Sequence, residues 1–176
     1  RFRATALREG GENASYSREF AFSKSTGRPA VLNTKPNDSY TFEGASLLVD
    51  GYHSRPVFTS GAWLGYLDEP LDVTIDMGGE QSYRSVELET LAEKGDWIFP
   101  PSSVTVWVSD FTEVASVAVP EAKAGDADGI GRYRMQFPET SARYLKVVAQ
   151  NAAAIPAWHP GAGSKGFLFV DEVVVE

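Results

Sequence analysis

Short runs in which apolar and polar residues alternate dominate the chain from residue 70 onward. Residues 71–77 alternate and end at Gly78-Gly79, and residues 103–109 place valine at nearly every second position. Successive side chains of a β-strand point to opposite faces, so this period of two is typical of strands with one buried and one hydrated face. The same pattern recurs in residues 83–91, 113–119, 132–137, 142–149 and 166–176. The sequence therefore predicts an all-β fold built from antiparallel sheets.

Helical signals are almost missing from the sequence. We expect a single helical turn near residues 45–49, because no longer stretch shows the 3.6-residue period of an amphipathic helix. About seven strands without helices fit a β-sandwich or a jelly roll. With 176 residues, 43% of them hydrophobic, the chain can bury one substantial core, so we expect one main domain.

The N-terminal part differs from the rest in its pattern. Residues 1–8 and 17–23 alternate on either side of Gly10-Gly11, which predicts a β-hairpin. Residues 24–46 are rich in Lys, Ser, Thr, Gly, Pro and Asn, which indicates a connector. The chain starts at Arg1 without an initiator Met, so we expect it to be a piece of a longer protein.

Charge places the domain boundary that we predict at Lys35-Pro36. Residues 1–35 carry a net charge of +4, and the remaining residues carry −12. We therefore assign a hairpin and connector to residues 1–35 and a β-sandwich to residues 36–176. The overall charge of −8 argues against a nucleic-acid partner, since phosphate binding needs a basic surface. We also expect no membrane partner, because no apolar run reaches about 18 residues.

The residues of most catalytic sites are scarce in this chain. It has no cysteine and two histidines, His53 and His159, and it has no Gly-x-Ser-x-Gly motif. We therefore expect the chain itself to be non-catalytic. A small esterase or lyase is an alternative that would require turnover by the isolated chain. The lack of cysteine also favours a bacterial source, because animal extracellular modules of this size often carry disulfides.

Several motifs together resemble the discoidin-like (coagulation factor type C) domain, in particular the version at the C-terminus of bacterial chitobiases and β-N-acetylhexosaminidases. The resemblance covers about residues 40–176, and its specificity comes from the order and spacing of the motifs. The preceding hairpin is similar to the last strands of the fibronectin-type module found before this domain in such enzymes. The motifs are Asp50-Gly51, Gly61-Ala62-Trp63-Leu64-Gly65-Tyr66, Val73-Thr74-Ile75-Asp76-Met77-Gly78, Trp97-Ile98-Phe99-Pro100, residues 104–109, Ala142-Arg143-Tyr144-Leu145-Lys146-Val147, Trp158-His159-Pro160-Gly161 and Phe169-Val170-Asp171-Glu172-Val173.

The resemblance implies an eight-stranded jelly-roll sandwich whose two ends meet, often around a calcium ion. By position, Asp50 and Glu172 would give side-chain oxygens and Ser54 a hydroxyl, with main-chain carbonyls from residues 52–55 and from around residue 170. Many relatives place a second Asp or Asn after Asp-Gly, whereas this chain has Tyr52-His53. The alternative is that Asp50 caps a turn and that Glu172 is a solvated strand residue.

The resemblance also implies ligand-binding loops at one end of the sandwich. A sugar needs an aromatic ring to stack on and polar groups around that ring. We predict Trp158 or Phe58 as the ring, with His159, His53 and Arg55 as polar partners. Trp158 and His159 have an alternative role as a contact with a parent catalytic domain. For Trp63, Tyr66 and Trp97 we favour packing in the core or at its rim, and we place Trp107 on the face opposite its neighbouring valines.

The function expected from these observations is a non-catalytic carbohydrate-binding accessory domain of a secreted bacterial glycoside hydrolase, periplasmic or on the cell surface. Its ligands would be glycans that contain amino sugars or galactose, and its other partner would be the parent catalytic domain. The alternative is a structural module that packs on the catalytic domain and binds no ligand.

Overall fold

A computed structural model describes residues 2–6, 14–18, 20, 22–109 and 112–176. Four short 3-10 helices lie in the loops, and the turn expected near residues 45–49 is one of them: Asp38–Tyr40, Gly44–Val49, Phe58–Ser60 and Lys94–Asp96. Nine strands make up the rest of the regular structure in this part of the chain: β1 (Phe2–Ala6), β2 (Ala14–Arg18), β3 (Ala30–Leu32), β4 (Leu64–Tyr66), β5 (Leu71–Ala92), β6 (Ser103–Val108), β7 (Thr112–Ala118), β8 (Gly129–Gln150) and β9 (Leu168–Val175).

The first two strands form a separate antiparallel pair, with Phe2 opposite Arg18 and Ala6 opposite Ala14. This confirms that a hairpin precedes the sandwich. The second arm lies earlier than predicted, because it occupies Ala14–Arg18 and not residues 17–23. The predicted turn at Gly10-Gly11 lies outside the described residues.

The other seven strands form a sandwich because two of them contribute to both layers. Strands β5 and β8 are each 22 residues long. The first half of β5 pairs with β3 and with the second half of β8, which also pairs with β6. The second half of β5 pairs with the first half of β8 and with β9, to which β4 is added. Strand β7 extends the first layer beside β6.

Each long strand changes layer at an irregularity in its register. The pairing of β5 with β8 is interrupted between Asp76 and Gln81, where Gly78 has a φ of 78° and donates its N–H to Asp76 Oδ1 at 2.9 Å. Glycine adopts this left-handed conformation without a steric penalty, so the strand can bend there. The runs at 71–77 and 83–91 were predicted as separate strands, and they are two halves of one bent strand.

The core lies between the two layers and follows the alternation read from the sequence. One layer contributes Val73 and Val106, and the other contributes Leu88 and Val173, all fully buried. Valines of β6 point inward while Trp107 points to the other face and is half-buried, as predicted. Trp63 and Tyr66 are also fully buried, which confirms the packing role expected for them.

The N-terminal connector is part of the sandwich, which corrects the boundary predicted at Lys35-Pro36. Strand β3 pairs with β5, with Ala30 opposite Ile75. Before it, Lys24 donates its N–H to Val175 O at 2.9 Å, and Ser25 Oγ donates to Val173 O at 2.6 Å. A three-residue strand is too short to show a period, so the composition of the segment hid its pairing. Within the described residues, no helix is long and apolar enough to cross a bilayer.

Candidate functional site

Three loops meet at the end of the sandwich away from the C-terminus. They connect β5 to β6, β7 to β8, and β8 to β9. A cavity of about 390 Å³ opens between them, lined by residues 99–102, 119–122 and 152–157. Of the described residues that line it, only Ser102 and Glu121 carry polar side chains. The cavity is therefore an apolar recess at a loop end, the kind of place where ligands bind in many folds.

Trp158 lies beside this cavity with its indole ring fixed and partly exposed. Its Nε1 donates a hydrogen bond to Ala122 O at 2.9 Å, which attaches it to the loop between β7 and β8. Its ring centroid lies 6.3 Å from that of Phe99 in the cavity wall. The residue is 39% exposed. The indole is therefore held in place by the protein and is partly accessible to solvent, two properties that a ring needs in order to stack on a ligand.

His159, predicted as a polar partner for a ligand, is buried and bonded to the main chain through both ring nitrogens. Its Nδ1 accepts from the Gly161 N–H at 3.0 Å, so the ring proton is on Nε2 and is donated to Lys94 O at 2.9 Å. The side chain thereby ties the β8–β9 loop to the β5–β6 loop. Its place in the structure is that of a positioning residue beneath Trp158.

Trp97 lies at the rim of the core, one of the two positions predicted for it, and 43% of its surface is exposed. Its φ is 64°, a left-handed conformation that is uncommon for a bulky residue. The ring packs against Gly161, where an added Cβ would come within 2.8 Å of it, and meets the His159 ring edge-on at 6.1 Å. The turn-forming pair Gly95-Asp96 before it is the sequence signal that points to an exposed position.

A buried lysine joins the loops below these rings. Lys94 is 7% exposed, and its Nζ donates to Asp126 O at 2.9 Å and to the carboxylate of Asp128. Desolvation raises the pKa of Asp128, but its hydrogen bonds from Lys94 outweigh that effect and the pKa lies below its ordinary value. The β5–β6 and β7–β8 loops are thus held together by an ion pair and by a main-chain contact.

Three candidate residues, His53, Arg55 and Phe58, lie in residues 50–63, the segment before β4 that we call the first loop. His53 and Phe58 contact the outer face of the second layer. His53 Nδ1 is 2.7 Å from Glu89 Oε2, and Glu89 also accepts from Arg132. Arg55 is exposed, and its carbonyl accepts from Trp63 Nε1 at 3.0 Å. Phe58 is half-buried and packs against a second cluster of buried residues, Trp63, Leu91, Ile98 and Phe169. That cluster links this loop to Trp97, which is the neighbour of Ile98.

The predicted metal-binding residues lie close together where residues 50–54 contact strand β9. Glu172 is fully buried, and its Oε2 accepts from the Gly51 N–H at 3.2 Å. Its Oε1 is buried without a hydrogen-bond partner among the described residues. Asp50 Oδ1 accepts from the Tyr52 N–H at 2.7 Å, which is the turn cap considered for it. The solvated position considered as an alternative for Glu172 is wrong, because the carboxylate is inside the protein.

Asp171 was not predicted as part of this site, and it is also buried. It accepts two hydrogen bonds from Ser54, one from the main-chain N–H at 2.7 Å and one from Oγ at 3.0 Å. Desolvation, with added repulsion from Glu89 and Asp50, raises its pKa to about 7. Burial, followed by repulsion from Asp50 and Asp171, also raises the pKa of Glu172. Strand alternation hides such a residue, because two neighbours on one strand normally face opposite sides.

The negative charge of this carboxylate cluster favours a bound cation, but the cluster offers few side chains that could act as ligands. An orphaned, buried carboxylate oxygen near two other acids is costly unless a positive charge compensates it. Yet no group of three or more His, Asp or Glu side chains within the described residues is arranged to hold a metal ion. A calcium ion here would therefore need main-chain carbonyl oxygens for much of its coordination.

Comparisons with known proteins identify the fold. No family model matches the sequence, and no curated protein does. Among solved structures, chitosan-binding module 1 of a Paenibacillus sp. IK-5 chitosanase/glucanase has a TM-score of 0.56 at 16% identity and covers 89% of this chain and 99% of that chain. A fucose-binding module of Streptococcus pneumoniae has a TM-score of 0.53 at 20% identity, covering 88% and 94%.

A third structure is a Clostridium perfringens module in complex with GalNAc-β-1,3-galactose, with a TM-score of 0.53 at 15% identity, covering 84% of this chain and 93% of that one. At such low identities the likeness shows the fold alone. The chain has the discoidin-like β-sandwich fold that these carbohydrate-binding modules share, as the sequence motifs predicted.

Proposed function

We propose that this chain is a non-catalytic carbohydrate-binding domain whose ligand site is the loop end beside Trp158. The observation that carries this proposal is the exposed indole of Trp158, fixed by its hydrogen bond to Ala122 at the edge of the cavity. A fixed ring loses little conformational entropy on binding, and its face suits the C–H face of a sugar. Three structural neighbours of the same fold carry sugar-binding names or ligands, which supports the proposal.

Trp97 and Arg55 complete the set of groups that we propose for the site. Trp97 offers a second partly exposed ring, held by Gly161 and by the buried His159. Arg55 is exposed in the first loop, and its carbonyl accepts a hydrogen bond from Trp63 of the second cluster that leads to Trp97, so we propose it as a hydrogen-bond donor to hydroxyls at this side of the site. In this arrangement His159 and His53 orient the loops, since both bind protein groups, and Phe58 supports them from the second cluster.

The biological role that we propose is attachment of a bacterial, secreted glycoside hydrolase to its substrate. The parent enzyme would be of the chitobiase or β-N-acetylhexosaminidase type, and the ligands would contain amino sugars or galactose. A weak site is sufficient for this role, because a tethered catalytic domain beside a polymer gains effective concentration.

We propose a structural calcium ion at the carboxylate cluster. Asp50 and Glu172 would hold it with Ser54 and with main-chain carbonyls of residues 52–55 and of the segment around residue 170. Glu172 Oε1, which lacks a partner among the described residues, is the atom that such an ion would satisfy. The ion would supply charge compensation and would hold the first loop against β9. In this proposal the ion does not contact the sugar.

The test is a titration of the chain with oligomers of N-acetylglucosamine, N-acetylgalactosamine and galactose, in which binding is measured by NMR or calorimetry. We expect millimolar or tighter binding of at least one of them, and at least a tenfold loss for Trp158→Ala. The control is Phe22→Ala, which removes another aromatic residue, 74% exposed, outside the loop end. If the wild-type chain shows no binding at millimolar ligand, that result would support the alternative, a structural module without a ligand.

A further inference from the structure

We propose, on the basis of the sugar-binding role above, that the ligand is an extended stretch of glycan chain that contacts a band of three exposed rings, Trp158, Trp97 and Phe42. Phe42 has no role in any of the sites described so far. It is 46% exposed, and its φ of 35° lies in the left-handed region. A bulky residue at positive φ is a backbone outlier, and such outliers concentrate at binding sites.

Phe42 and Trp97 share the same two local features. Both have positive φ, and each ring lies against a glycine. A Cβ added to Gly61 would be 3.6 Å from two atoms of the Phe42 ring, and one added to Gly161 would be 2.8 Å from the Trp97 ring. At Gly161 the lack of a side chain lets the Trp97 ring lie on the main chain, whereas at Gly61 a methyl group would also fit beside Phe42, and both rings remain partly exposed. Both residues therefore combine a backbone conformation that is uncommon for bulky side chains with a partly exposed ring.

The three exposed rings are connected through the half-buried rings of Tyr40 and Phe167 and the buried ring of His159. The N–H of Phe167 donates to Trp97 O at 2.8 Å, and the Phe167 ring meets Tyr40 edge-on with centroids 5.5 Å apart. Tyr40 in turn lies 6.5 Å from Phe42. At the other end, His159 contacts both Trp97 and Trp158, with centroids at 6.1 and 5.6 Å. The band thus continues from the proposed sugar site towards the first loop.

A chain is a better match than a single sugar for the polarity of this surface. A lone sugar is usually held in a pocket with several polar groups, but the cavity beside Trp158 offers two polar side chains. Spaced rings allow successive sugars of a chain to stack, and the gain from each contact adds to a weak first site. Thr59 and Ser60, both exposed residues, directly precede Gly61, against which the Phe42 ring lies. These groups suit the hydroxyls of an uncharged glycan.

The experiment measures affinity against chain length, using N-acetylglucosamine and galactose oligomers of one to six units. For the wild type we expect affinity to rise at least tenfold from the shortest to the longest oligomer that binds. Phe42→Ala should remove most of that rise and leave the shortest binding oligomer unaffected, whereas Trp158→Ala should weaken all lengths. Phe22→Ala is the matched control and should change nothing. Melting curves establish that each variant is folded.

A second arm moves a ring without removing it. Gly161→Ala places a methyl group against the Trp97 ring, and we expect it to reduce long-oligomer binding as Trp97→Ala does. Gly95→Ala is the control, because a Cβ there meets nothing within 4 Å. Equal affinity for all lengths, or an unchanged length dependence in both Phe42→Ala and Trp97→Ala, overturns the chain-binding inference while the sugar site stands. If the wild type binds none of the oligomers, both the chain-binding inference and the proposed sugar site are overturned, and a protein partner on the band is indicated.

Discussion

The main-chain N–H of Gly51 donates to Glu172 Oε2 at 3.2 Å, and so connects residues 121 positions apart in the sequence. This bond holds the first loop against β9 and leaves the second carboxylate oxygen of Glu172 enclosed without a partner among the described residues. The carboxylate that anchors the first loop is therefore also one whose burial calls for a compensating positive charge.

Calcium should raise the melting temperature of the wild-type chain, because an ion bound only by the folded state stabilises it. At a concentration a hundred times its Kd the gain is about 2.7 kcal/mol. Glu172→Gln should abolish the shift, since it removes the ligand charge and retains the shape. The measurement is thermal unfolding with calcium and then with chelator, and Glu113→Gln, on exposed β7, is the control. An unchanged melting temperature at millimolar calcium would remove the ion from the account.

In chelator, stability should fall as the pH rises from about 4, through about 7 for Asp171 and on towards about 10 for Glu172. Burial raises the pKa of Asp171 to about 7 and also raises that of Glu172. The folded state therefore binds more protons than the unfolded chain in this window, and its stability decreases with pH. Between pH 5 and pH 8 we expect Asp171 alone to account for a loss on the order of 3 kcal/mol, and Glu172 to add to it. Urea unfolding at pH 5 and pH 8 measures it.

Asp171→Asn should reduce the slope between pH 5 and pH 8 without abolishing it, because the amide does not ionise whereas Glu172, whose pKa is also raised, still does. Asp76→Asn serves as the comparison, since Asp76 lies at the surface with a pKa lowered to about 2 by its hydrogen bonds from Arg143 and Gly78. That variant should leave the slope between pH 5 and pH 8 unchanged. Equal slopes in the wild type and in Asp171→Asn would contradict the assignment of the slope to this carboxylate.

Removal of the buried imidazole should affect stability and ligand binding together. His159→Ala leaves the Gly161 N–H and Lys94 O without their partner, which costs about 1–3 kcal/mol for each group that stays buried. The loop that carries Trp158 should also become mobile, so sugar affinity should fall even at temperatures where the variant is folded. NMR order parameters of residues 156–162 provide the readout. A variant that loses stability but keeps full affinity would show that the loop does not need this anchor.

The sequence was sufficient to predict the parts of the fold in which apolar and polar residues alternate along a strand. Val104, Val106 and Val108 alternate in sequence and are buried as that alternation requires, and Trp63 is buried beside its glycine. The same logic failed for β3, which is too short to show a period, and for the two bends where long strands change layer. Those features depend on pairing with distant residues.

The candidate site was less predictable because local sequence does not determine which side of a loop faces the solvent. Trp158 and His159 are neighbours between two prolines, yet one is exposed and the other is buried against Lys94. Asp171 and Glu172 are neighbours on a strand, yet both are buried. In each pair a specific tertiary hydrogen bond decides the position, and such a bond leaves no pattern in the sequence.

The indole hydrogen bond of Trp158 gives a final test of whether a fixed ring matters. Trp158→Phe retains an aromatic face and removes the Nε1 donor to Ala122 O. We expect its sugar affinity to lie between that of the wild type and that of Trp158→Ala, with a loss of about three- to tenfold, which corresponds to the roughly 0.5–1.5 kcal/mol of one hydrogen bond. Trp107→Phe on the outer sheet face is the matched control. If Trp158→Phe bound as tightly as the wild type, the ring face would account for recognition without its anchor.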